Sequence, residues 1–105
     1  MKLLLDECVP EDLKTFISGH EVFTVSEMAW KGVKNGDLML RVVEGGFDVF
    51  VTSDKNIRHQ QNISKYPIAV IVFDVFRNTL PELRLKLSKL YELLPTAEKA
   101  KLYLC

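Results

Sequence analysis

Residues 68 to 73 read Ile-Ala-Val-Ile-Val-Phe, an apolar run with no polar position in it. A strand with one wet face alternates apolar and polar residues. An unbroken apolar run is therefore the pattern of a central parallel strand covered on both faces. That demand for cover on two sides constrains the rest of the chain most.

Shorter strand patterns stand at Lys2 to Leu5, at Glu21 to Val25 and at Asp48 to Thr52, the last rich in β-branched and aromatic residues. Lys101 to Cys105 can add a final short strand. Helical patterns alternate with them. The first opens at Pro10, carries Glu11 and Asp12 in its first turn, places Leu13, Phe16 and Ile17 on one face and stops at Gly19. The second begins near Gly36-Asp37, aligns Leu38, Met39, Val42 and Val43, and ends at Gly45-Gly46. The third opens on a Thr79-x-x-Glu82 capping box and carries Leu80, Leu83, Leu87, Leu90 and Leu94 at helical spacing. Arg84, Lys86 and Lys89 lie on its other face, open to a dimer or protein-partner contact. Asn56 to Tyr66 reads as a short helix or an ordered loop. This β-α alternation predicts one α/β domain over residues 1–105, an open parallel sheet with helices on both sides.

Composition excludes several other classes. With 48% hydrophobic and 27% charged residues, the chain is neither disordered nor a disulfide scaffold. Cys8 and Cys105 are the only cysteines, which predicts a reducing compartment and gives no zinc spacing. Leu3-Leu4-Leu5 is cut short by Asp6 and Glu7, so no membrane segment is expected and the predicted location is cytoplasmic. Lys plus Arg and Asp plus Glu balance at 14 each, so no global basic field marks a nucleic-acid binder. Residues 55 to 65 are the local exception, with Lys55, Arg58, His59 and Lys65 and no acid.

In open parallel sheets, ligands collect beyond the carboxyl ends of the strands, where strand order reverses. Asp6 and Asp54 follow strands, and in a 2-1-3-4-5 order they face one crevice. Asp37 opens the helix whose N-terminus points to the same edge. Three carboxylates crowded there would repel one another unless a cation compensates, and all-oxygen donors select Mg²⁺ or Mn²⁺. Each acid also has a plain structural use: Asp37 as a helix N-cap, Asp6 as a strand end, Asp54 as a turn residue. No nucleophile triad, P-loop or dinucleotide fingerprint suggests other chemistry.

The succession Leu5-Asp6-Glu7-x-x-Pro10, Gly19-His20-Glu21-Val22, Gly36-Asp37 and Val51-Thr52-Ser53-Asp54 resembles the compact PIN-like toxin family, akin to Mut7-C-type domains. The resemblance implies a PIN-like three-layer α/β/α fold with a central, mainly parallel sheet of four to five strands. It also implies Mg²⁺- or Mn²⁺-dependent cleavage of RNA, often as the toxin half of a toxin–antitoxin pair. It places catalytic, metal-site carboxylates at Asp6, Asp37 and Asp54. Where many relatives have a second Asp followed by Phe, this chain has Asn56 and Ile57, so Asn56 would ligate through a neutral amide oxygen. Lys55 and Arg58 would steady the RNA backbone. Implied partners are RNA, a cognate antitoxin and a second copy of the chain. Two alternatives stay open: a PIN-like module that binds a protein and cuts nothing, and a receiver-like phosphoacceptor domain built on Asp6-Glu7 and Asp54.

Overall fold

The computed structural model describes residues 1–105. Five strands form one sheet: β1 (Lys2–Leu5), β2 (Glu21–Thr24), β3 (Val49–Thr52), β4 (Ala69–Val72) and β5 (Leu102–Leu104). All neighbours are parallel and the order is β2-β1-β3-β4-β5. Side chains alternate across the pleat, so Leu3, Leu5, Val49, Val51, Ala69 and Ile71 share one face and Leu4, Phe50, Val70 and Val72 the other. Both faces are covered, which is why β4 is apolar at every position.

The first face carries a 3₁₀ helix (Glu11–Phe16) with α3 (Leu80–Arg84) and α4 (Leu87–Leu93), through Leu13, Ile17, Leu83, Leu90 and Leu94. The second carries α1 (Asn35–Glu44), α2 (Ile57–Gln60) and a 3₁₀ turn (Ile63–Lys65), through Leu38, Met39, Val42, Ile57 and Ile63. The fold is thus the three-layer α/β/α arrangement expected. No helix is long and apolar enough to cross a membrane.

One connection departs from the usual rule of hand. The chain crosses from β1 to β2 over the first face, then returns to β3 and on to β4 over the second, and these three crossovers share one hand. The β4 to β5 connection continues in the same direction but passes over the first face, so its hand is opposite. Parallel crossovers almost always keep one hand. The physical reason lies in the short 3₁₀ helix, which cannot cover five strands. Leu83, Leu90 and Leu94 supply the missing cover, each buried leucine contributing roughly 1.5–3 kcal/mol of transfer free energy.

Several local expectations are corrected. The segment after Pro10 is a 3₁₀ helix that ends at Phe16, where Ile17 turns extended, and not an α-helix that runs to Gly19. Gly19, at φ +80°, makes the reversal that side chains disfavour. Phe16 lies outside the core, its ring covered by the Arg84 guanidinium at 4.1 Å. The leucine-striped segment is two helices rather than one, broken at Leu85-Lys86, where Lys86 N–H donates to the Leu83 carbonyl. That bend lets Leu83 meet the 3₁₀ helix while Leu90 and Leu94 reach the sheet; Leu80 and Leu87 are only partly buried. The Thr79 side chain makes no capping bond. Asp37 is not the N-cap of α1 either, since Lys34 holds that position and Asp37 sits within the first turn.

Candidate active site at the carboxyl ends of β1 and β3

β1 and β3 are neighbours, and the ladder runs past the strand end, with Asp6 N–H donating to the Val51 carbonyl at 2.8 Å. Asp6 therefore leaves the sheet beside Thr52. Asp6 is 9% exposed, and its carboxylate accepts three hydrogen bonds, from the Glu7 amide at 2.8 Å, from the Thr52 hydroxyl at 2.7 Å and, more weakly, from the Cys8 thiol at 3.5 Å. Thr52 is fully buried, and its one hydroxyl proton is committed to Asp6. Its oxygen then accepts from the Asp54 amide at 3.0 Å. A buried hydroxyl thus couples the acid after β1 to the backbone of the acid after β3.

Asp54 is half-buried and closes an Asx turn, its Oδ1 accepting from the Asn56 amide at 3.0 Å, which sets the entry to α2. Asn56 itself is exposed at the N-cap of α2. Cys8 completes the crevice wall: its Sγ is 3.5 Å from Asp6 Oδ2 and 3.4 Å from Thr52 Oγ1, and it accepts from the Ser53 hydroxyl at 3.1 Å.

Asp37 is exposed in the first turn of α1. Beside it, Asn35 at the start of α1 donates to the Gln60 side chain at the end of α2. No three His, Cys, Asp or Glu side chains are grouped so as to hold a metal ion. The donors agree with a hard divalent cation in kind, since Asp6 and Asp54 carry carboxylate oxygen atoms. They do not form the three-carboxylate cluster drawn from the sequence.

The other charged residues separate clearly. Glu7 is exposed and accepts from the Gly32 amide at 2.9 Å, reaching across to the loop before α1. Glu27 is paired with Lys14 at 2.7 Å, and that hydrogen bond holds its carboxyl below the ordinary range. Lys55 is bound to Asp74 at 3.0 Å, so one cation assigned to RNA is already engaged at the surface. Arg58 and His59 are exposed and line a cleft of about 520 Å³ with Gln61 and Leu102. A larger cleft of about 720 Å³ opens at the opposite edge of the sheet, between His20, Glu21 and Asp48. There the ring of His20 stacks on Tyr91, and burial followed by the adjacent N-terminal charge lowers its pKa. That cleft lies away from the strand-end acids.

Sequence reasoning missed Thr52, Cys8 and Asp74. The strand-end rule that singled out Asp6 and Asp54 applies equally to Asp74, which follows β4. Comparison with protein-family models, curated proteins and solved structures gave no match for this chain. Its class is therefore set by its own architecture: a parallel 2-1-3-4-5 α/β/α domain with Asp6 and Asp54 at the strand ends that flank the point of strand reversal.

Proposed function

We propose that the chain is a PIN-like ribonuclease domain that uses Mg²⁺ or Mn²⁺ at Asp6 and Asp54 to hydrolyse RNA phosphodiester bonds, as the toxin half of a toxin–antitoxin pair. The observation that carries this reading is the buried Asp6 carboxylate, joined through the Thr52 hydroxyl to Asp54 at the β1/β3 switch point. Binding sites in sheets of this kind gather at that crevice. Two carboxylates suffice for Mg²⁺, which commonly keeps several waters and takes its remaining ligands from substrate phosphate.

When bound, such a cation supplies a more acidic water and neutralises charge on the scissile phosphate. The chain's own part is positional. Thr52 fixes one oxygen of Asp6 and the Glu7 amide fixes the other, so the carboxylate does not reorient when substrate arrives. The Asx turn holds Asp54 in the same way. Arg58, exposed on α2, is free to meet RNA phosphate.

The test is cleavage of an end-labelled RNA with Mn²⁺ or with chelator, by the wild type, Asp6→Asn and Asp54→Asn. The reading expects Mn²⁺-dependent cleavage that both substitutions abolish. An inert wild type, or an active Asp54→Asn, overturns it. A second reading, a PIN-like module that binds a protein and cuts nothing, is favoured by the lack of any group of three potential metal-ligating side chains and by the neutral Asn56 in place of a carboxylate. It expects the inert wild type.

A further inference from the structure

The segment between β4 and α3 runs along the same edge as the acidic crevice and is fixed at both ends. Asp74 is bound through its side chain to Lys55 at 3.0 Å and through its amide to the Cys105 carbonyl at 2.8 Å. Asn78 donates to the Cys8 carbonyl at 2.7 Å, two residues from Asp6. Between these anchors Val75 points inward and is buried in the first-face core. Phe76 must then point outward, and it is 95% exposed. A phenyl ring is thus held in water by a backbone with little freedom to withdraw it.

The chemistry around the ring is cationic. The Asp74 carboxyl is held below its ordinary range by the Lys55 hydrogen bond first, and also by Lys86 and Arg58 through space. One cation is thus in contact with this acid, Lys86 and Arg58 act on it from further off, and exposed Arg77 follows Phe76 directly. Single exposed aromatics are common and need no explanation by themselves. An aromatic fixed beside an excess of Lys and Arg, on the edge that carries the candidate hydrolytic site, has the composition of a single-strand platform, where bases stack and cations follow the phosphates. A protein-docking centre would instead be apolar around the ring, whereas Asp74, Arg77 and Asn78 are polar and exposed.

We propose that Phe76 is a stacking platform for an unpaired base of single-stranded RNA, with Arg77, Arg58 and Lys86 carrying the adjoining phosphates. This rests on the ribonuclease reading for the identity of the polymer, and it narrows the substrate to single strands. A base held on Phe76 would bring the chain of phosphates past Cys8 toward Asp6.

The experiment is fluorescence anisotropy with a labelled single-stranded RNA of about ten nucleotides, a length in the range that single-strand-binding domains cover. It is run in chelator, so that binding is read without cleavage, on the wild type, Phe76→Ala and Phe76→Tyr. Losing one stacked base should make Phe76→Ala bind roughly tenfold more weakly, and Phe76→Tyr should restore binding. With an abasic strand of the same length, wild type and Phe76→Ala should bind alike. Equal binding of the base-bearing strand by wild type and Phe76→Ala overturns the proposal, as does a wild type that binds no single strand. So does a change in self-association of Phe76→Ala, seen by sedimentation, with RNA binding untouched; that outcome assigns the ring to a protein contact. Phe76-dependent binding by a wild type that Mn²⁺ leaves inert keeps the platform and removes the nuclease. Mn²⁺-dependent cleavage with no effect of Phe76→Ala does the reverse.

Discussion

Thr52→Val removes one hydroxyl from a fully buried site while keeping the shape of the side chain. Two partners lose by it: Asp6 Oδ2 loses a donor at 2.7 Å and the Asp54 amide loses an acceptor at 3.0 Å. The first bond is to a buried carboxylate, a class that contributes about 1.5–3 kcal/mol, and an orphaned buried group costs about 1–3 kcal/mol. Relaxation of Asp6 toward the Cys8 thiol recovers part of this, so a net loss of about 2–3 kcal/mol is expected. Thr52→Ser keeps the hydroxyl and deletes one methyl, which should cost about 1 kcal/mol. Urea denaturation of the three proteins at neutral pH measures the difference between the substitutions. A valine variant as stable as the serine variant would refute the claim that this hydroxyl organises the crevice.

Leu90→Ala should cost about 2–5 kcal/mol in the same denaturation assay, and Leu87→Ala clearly less, since Leu90 is fully buried and Leu87 only partly. Ala100 has φ +64°, a region where a Cβ is crowded, so Ala100→Gly should raise stability by up to about 1 kcal/mol in thermal melts. Glu27 has a folded-state pKa below its ordinary 4.5, so its pairing with Lys14 stabilises the protein above that value and is lost as pH falls through the lowered one. Wild type should therefore exceed Glu27→Gln in melting temperature at neutral pH, with the gap closing in acid and shrinking in salt.

The parts of the fold legible in the sequence were those written in local pattern. Ile68 to Phe73 has the pattern of a strand with two covered faces, and β4 is that strand. The position of Asp6 and Asp54 followed from strand ends and strand order together. Thr52 was invisible because its partner lies across the sheet, and a threonine inside a strand carries no local mark of a long-range hydrogen bond. Asp37 falls in the first turn of α1, and where that turn sits depends on the path of residues 25 to 34, which no periodicity fixes. The break between α3 and α4 was hidden for a related reason. Leucines at spacings of three and four suit one helix or two, and only the need to cover the first face decides between them.

The central claim is that Asp6 and Asp54, joined through Thr52, form the cation site while Asp37 stands outside it. Isothermal calorimetry of Mn²⁺ into the wild type, Asp6→Asn, Asp54→Asn and Asp37→Asn tests this without relying on any RNA substrate. The account predicts one saturable site in the wild type that is abolished by Asp6→Asn and by Asp54→Asn and is retained in Asp37→Asn. Absence of Mn²⁺ binding to the wild type, or its loss in Asp37→Asn to the same degree as in the other two, would contradict it.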